Sequence, residues 1–211
     1  MDTLECMRTR RSIRKYLDEP VEFEKVGEIL DAGRNAPSAG NVQDWKFILV
    51  TEPAARKEIA EACLQQYWME TAPVYVVICS QPEKSERFYG ERGKRLYSIQ
   101  NAAAAAENML IAAHDQGLGS CWVSAFADDM LRRALNIPDS VVPYAVITIG
   151  YADETPAMPP KFPIENVVFI EKWGNRLRDV AAFMEHYAEH VVKAAKAGKE
   201  FVQKAIEKIK E

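Results

Sequence analysis

A chain of 211 residues suits one domain with a sizeable core, and a hydrophobic share of 48% argues against disorder. The formal net charge of −4 argues against a general binder of nucleic acid or anionic membrane. With no apolar signal core at the N-terminus and no stretch of 18 apolar residues, a soluble, cytoplasmic protein is expected. Cys6, Cys63, Cys79 and Cys121 form no Cys-x-x-Cys pair and read as free thiols, three of them in apolar settings.

Asp2 and Thr3 can cap a short first helix with Leu4 and Met7 on its apolar side. It runs into Arg8 to Lys15, where five cations fall within eight residues. If the run stays helical, Arg10 and Arg14 share a face; if it becomes extended at Ser12, Ser12 and Arg14 do. Either arrangement can grip a dianion with guanidinium forks and a hydroxyl, and a solvated cationic face is the plain alternative.

Pro20 is expected to start a second helix that buries Val21, Phe23, Val26, Ile29 and Leu30 and stops near Gly33 to Asn35. Ala36 to Trp45 is a turn of small and hydrogen-bonding residues leading into a strand over Trp45 to Thr51. In it the backbone can approach a planar ligand, with Ser38, Asn41 and Gln43 offering polar contacts, or the segment is a simple connection. Pro53 to Gln66 reads as a third helix, and Val74 to Cys79 as a strand at a sheet centre. Ser80 to Leu96 is densely charged, with Phe88 and Tyr89 beside Gly90 and Gly93. It reads as a mobile flap whose aromatics cover a bound ring, or as an exposed loop.

Ser98 is read as the cap of a central helix through five alanines, Ala102 to Ala106, ending at Gly117 and Gly119. Ser120 to Phe126 follows as a strand end, where backbone donors can meet a flat ligand. Asp128 can cap a helix to Leu135, and Tyr144 to Ile149 is a further strand closed by Gly150. Ala152 to Pro163 holds four prolines and must run as an extended arm, with Lys161 in it. Asn175 to Glu211 reads as one long helix or two, too long to seat its whole apolar stripe on one small domain, so a second copy is its natural cover. His186 and His190 stand four apart there without the glutamate of a metalloprotease helix, so no metal site is expected. Helices mix with strands without steady alternation, which favours an α+β fold.

Taken together, these stretches resemble the FMN-dependent nitroreductase family over roughly Leu4 to Trp173. The matching parts are Arg10-Arg11-Ser12-Ile13-Arg14 with Tyr16, the run Ala36 to Trp45, Gly117-Leu118-Gly119-Ser120-Cys121-Trp122 with Ala125-Phe126, Ile149-Gly150-Tyr151, and Lys161 before Pro163. The resemblance implies an NAD(P)H-dependent flavin oxidoreductase with a central, mostly antiparallel sheet flanked by helices. It also implies an interlocked homodimer with two FMN sites, each built from both chains.

Carried onto this sequence, Arg10, Ser12, Arg14 and Lys161 would hold the ribityl phosphate, with Arg11 nearby. Pro37, Ser38, Ala39 and Asn41 would line the flavin edge from the other subunit. Gln66, with Gln65 as a near rival, would contact the polar edge of the ring, and the Ser124 and Ala125 backbone would lie beside the reactive nitrogen. Three residues depart from the pattern. Asp44 stands where many members have proline and is expected to loosen the turn. Ser124 replaces a frequent glycine, and Phe162 follows Lys161 where a second basic residue is common.

The organisation expected is an FMN-binding domain over 1–173 and a helical extension over 174–211 that packs on the dimer. The function expected is reduction of nitroaromatics, quinones or similar flat small molecules by NADH or NADPH in alternating half-reactions, with no side chain acting as acid, base or nucleophile. Dehalogenation, enone reduction or flavin breakdown on the same fold remains the enzymatic alternative, and a non-catalytic FMN carrier or redox sensor the other. No nucleic-acid partner is expected, because the cations lack interleaved stacking aromatics.

Overall fold

The computed structural model describes residues 2–176 together with 183–185, 189, 193 and 196. It divides into Met1–Met158 and Pro159–Glu211. The predicted C-terminal stripe, with His186 and His190, lies almost wholly outside the described residues.

In the first unit, β1 (Trp45–Val50), β2 (Val74–Ser80), β3 (Gly119–Val123) and β4 (Val142–Gly150) form one antiparallel sheet in the order β1-β2-β4-β3. All seven residues of β2 are buried. That strand is apolar throughout because successive side chains point to opposite faces and both faces are covered. Val74, Val76 and Ile78 pack in a layer with Val26 and Ile29 of α2 (Phe23–Arg34) and with Ala102, Ala106 and Met109 of α5 (Ser98–Asp115). Tyr75, Val77 and Cys79 face the opposite layer, with Ile59 of α3 (Pro53–Ala62) and Leu131 of α6 (Asp128–Leu135).

The alanine run works as expected, letting α5 lie close to the sheet with little side-chain entropy to lose. Its end is a Schellman turn: Gly117 adopts φ +76°, its N–H donates to the His114 carbonyl at 3.0 Å, and Leu118 N–H donates to the Ala113 carbonyl at 2.9 Å.

Four expectations are corrected. α2 begins at Phe23 rather than Pro20, and Phe23 itself is 72% exposed. α3 ends at Ala62, since Leu64 and Gln65 turn left-handed, with φ of 56° and 60°. Ser80 to Leu96 is no loose flap: α4 (Pro82–Arg92) runs into a π-helical turn over Gly93–Tyr97 that continues into α5. Ser98 therefore caps nothing, and its hydroxyl is drawn instead to a buried carboxylate described below.

The second unit holds α7 (Ile164–Val167) and a short hairpin in which Phe169 pairs with Arg176, with the Phe169 and Trp173 rings 4.6 Å apart. Lys161 belongs to this unit.

Candidate functional site

The cationic run settles in its extended form. Asp2 accepts hydrogen bonds from Leu4 and Glu5 N–H and caps α1 (Thr3–Thr9), after which the chain pairs with the outer edge of β3. Ser12 bridges Ser120 in parallel, and Ile13 N–H donates to the Ser120 carbonyl at 3.0 Å. A Cβ on Gly119 would press against Ile13, so the missing side chain is what admits this strand.

Glu154, from the proline arm, accepts from the N–H groups of both Arg14 and Lys15, which fixes the run from its far side. Tyr16 is buried, donates to the Ile13 carbonyl at 2.7 Å and shares a hydrogen bond with the Thr148 hydroxyl. Burial drives its phenol far above the usual range.

In this extended segment the side chains alternate. Arg14 is exposed, with its guanidinium carbon 5.9 Å from the centre of the Trp68 ring, and the Cys121 thiol beneath the strand donates to the Trp122 carbonyl at 3.8 Å. Arg11 and Ile13 line a separate cavity of about 450 Å³ with Thr9, His114 and Glu154. Arg11 donates to the carbonyls of Arg8 and Arg10, while its buried Nε has no partner among the described residues. Arg10 pairs with Glu107 at 3.9 Å.

From Arg14 a line of contacts runs inward. Trp68 Nε1 donates to Gln66 Oε1 at 3.3 Å, and Gln66 Nε2 donates to the Ala125 carbonyl at 3.4 Å. Of the two rival glutamines, Gln66 joins this line, while Gln65 is exposed. Ser124 and Ala125 are exposed just beyond β3, with the Ser124 hydroxyl accepting from Trp122 Nε1 at 2.5 Å. One chain thus brings together Arg14, Ser12, Gln66, Ser124 and Ala125. Trp68 is the member that sequence reasoning missed, since nothing in its spacing marks it.

Pro37, Ser38, Ala39 and Asn41 lie elsewhere. Their turn enters β1, at the opposite edge of the sheet from Ser12. Four strand spacings of about 4.8 Å separate the two, on the order of 19 Å. They also sit at opposite ends of the strands: Trp45 pairs with Ser80, whereas Ser120 pairs with Ile149 and Val74 with Ile149. Within a single chain, the two groups of predicted site residues stay diagonally apart.

The turn is far from loose. Gly40, Asn41 and Gln43 adopt φ of 54°, 57° and 51°, and the Tyr89 hydroxyl occupies the space a Cβ on Gly40 would need. Ser38 Oγ accepts from Gln43 N–H at 3.1 Å, and Asn101 Oδ1 accepts from Ala39 N–H at 2.9 Å.

Asp44 is fully buried and accepts from Asn101 Nδ2 at 2.8 Å, Ser85 Oγ at 2.8 Å and Ser98 Oγ at 2.5 Å. Burial alone would raise its carboxyl, but these donors outweigh it and hold the group below its ordinary value. The expectation that an aspartate here loosens the turn is therefore reversed: the carboxylate ties the turn to α4 and α5.

The donor set of one chain suits a phosphate and one edge of a planar ring: two exposed or half-buried arginines and a hydroxyl on a single strand, then a polar line to Ala125. It fits the phosphate and one edge of FMN. Among the described residues, no group of three or more His, Cys, Asp or Glu side chains could hold a metal, and no helix is long and apolar enough to cross a membrane.

A model of the nitroreductase family matches residues 7–68 and 63–151. A protein of Methanothermobacter thermautotrophicus, provisionally named an NADH dehydrogenase/NAD(P)H nitroreductase, is 36% identical over 82% of this chain and 88% of its own length. An FMN reductase [NAD(P)H] of Bacillus subtilis is 27% identical over 91% of this chain and 84% of its own. The solved structure of an FMN-dependent nitroreductase from Clostridium difficile R20291 superposes with a TM-score of 0.70 at 29% identity, covering 81% of this chain and 99% of that one.

Proposed function

Because the chain belongs to the nitroreductase family, we propose that it is an FMN-dependent oxidoreductase in which NADH or NADPH reduces a flat acceptor such as a nitroaromatic or a quinone. The observation that carries this reading is the line from Arg14 through Trp68 and Gln66 to Ala125, which joins an exposed cation to an open backbone edge.

The chemistry supplied by FMN, when bound, is two-electron transfer in alternating half-reactions. Arg10, Ser12 and Arg14 would hold its phosphate, and Arg11 would add positive charge from behind. Arg10 must exchange Glu107 for the phosphate. That exchange costs little, because the ion pair is 3.9 Å long and the carboxylate half-exposed. Gln66 would meet the polar edge of the ring, and the exposed Ser124 and Ala125 backbone its reactive side. Pro37, Ser38, Ala39 and Asn41 would come from a second copy, since their own chain places them more than about 19 Å away, four strand spacings across and at the opposite end of the strands.

No side chain is assigned a proton transfer or a nucleophilic attack. Burial raises the Cys121 thiol, and it serves as packing beneath Ser12.

The test is a visible absorption spectrum of the purified chain, with and without NADH. A flavin band that bleaches with NADH and returns with a quinone supports the enzyme. A band that bleaches with neither NADH nor NADPH supports a carrier, and a colourless protein that takes up no added FMN refutes both.

A further inference from the structure

We propose that Asn101, oriented by Asp44, is a positioning residue: it fixes the Ser38 to Asn41 turn in the one backbone shape that can wall a flavin held by a second copy of the chain. The inference rests on the function proposed above and deepens it.

Asn101 lies in the first turn of α5 and is 3% exposed. A buried amide can be turned either way, offering oxygen or nitrogen to a given neighbour. Here only one way satisfies both neighbours. Asp44 is an anion and can only accept, so the Asn101 nitrogen must face it, at 2.8 Å. The oxygen is then left to face Ala39 N–H, at 2.9 Å. The second oxygen of Asp44 is occupied by Ser85 and Ser98, so the carboxylate is itself anchored.

The turn needs such an external hold. Three of its four residues from Gly40 to Gln43 sit at positive φ, and two of those three carry side chains. Conformations of this kind persist only where the surroundings over-determine them. Ser38 serves Gln43 from within the turn, but Ala39, at its entrance, is held from outside through Asn101.

The experiment is a titration of the full-length chain with FMN, followed by quenching of flavin fluorescence, beside thermal melts of the apo form. Asn101→Ala is expected to weaken FMN binding tenfold or more. Ser98→Ala removes a partner of Asp44 without touching the turn, and is expected to lower the melting temperature while leaving the Kd within twofold of the parent. Should Asn101→Ala not fold, Asp44→Asn keeps the shape but lets the Asn101 amide turn over, and is expected to weaken binding threefold or more.

A folded Asn101→Ala or Asp44→Asn protein that binds FMN within twofold of the parent would overturn the inference, as would Ser98→Ala binding as weakly as they do. A parent chain that takes up no FMN at all would overturn the functional reading and this inference together. A parent that binds while the variants bind equally well would overturn the inference alone.

Discussion

Arg14 reaches over the ring of Trp68, with 5.9 Å between its guanidinium carbon and the ring centre, and the same indole donates to Gln66. An exposed arginine is thereby given a preferred direction before any ligand arrives, which cuts the ordering cost of binding a phosphate. Arg14→Ala and Ser12→Ala are each expected to cost about 1.5 to 3 kcal/mol of FMN affinity, roughly ten- to hundredfold in Kd. Trp68→Leu keeps the charge and loses only its aim, so its effect is smaller. Fluorescence titration checks the order, and equal Kd values for parent and Arg14→Ala would remove Arg14 from the grip.

The carboxyl of Asp44 is held below its ordinary value, so the unfolded chain binds a proton there more readily than the folded one. Stability from this group is complete above the ordinary aspartate value of about 3.9 and is lost as pH falls through the lower folded value. Urea midpoints of the parent chain are therefore expected to drop steeply below about pH 4. Asp44→Asn, less stable at neutral pH, should show a shallower acid decline. Parallel curves for the two proteins would show that the carboxylate carries no such linkage.

All four cysteines are buried, and burial pushes the thiols of Cys63 and Cys79 up to about 12. A thiol reacts as thiolate, so at about pH 8 almost none is available. Iodoacetamide is expected to leave the native chain unlabelled, and mass spectrometry should find four adducts once guanidinium has unfolded it. Labelling of Cys121 in the native chain would reveal an open path to the space beneath Ser12.

Gly40 and Gly117 are both left-handed, with φ of 54° and 76°, yet they differ in surroundings. A Cβ on Gly117 meets open space, whereas one on Gly40 meets the Tyr89 hydroxyl. Gly117→Ala is expected to cost about 1 kcal/mol from conformation alone. Gly40→Ala adds displacement of the Tyr89 ring and should cost more, about 2 kcal/mol or above. Equal urea midpoints for the two variants would show that Tyr89 gives way freely.

Much of this was legible beforehand. The buried central strand and the alanine helix with its glycine stop are local patterns, and they fold as read, whereas the bounds of α2 and α3 do not. The choice between a helical and an extended Ser12 was open, because the pairing that decides it comes from Ser120, over a hundred residues away. Ser80 to Leu96 looked loose because charge density and two glycines suggest a loop. In the fold Gly93 instead permits close approach to the Ser85 backbone, and Ser85 is tied to Asp44. Ser98 resembled a cap for the same reason that it serves Asp44: a small hydroxyl at the start of an alanine run. Only tertiary packing shows where that hydroxyl points.

The diagonal separation of the Ser12 strand from the Ser38 turn has a genetic consequence. If each flavin takes its grip from one chain and its wall from the other, two differently crippled alleles can complement. A mixed dimer of Arg14→Ala and Asn101→Ala chains would hold one doubly damaged site and one built wholly from undamaged parts. Co-expression should restore a class of sites with parent-like FMN affinity that neither allele shows alone, and a strictly one-chain site would never show such a rescue.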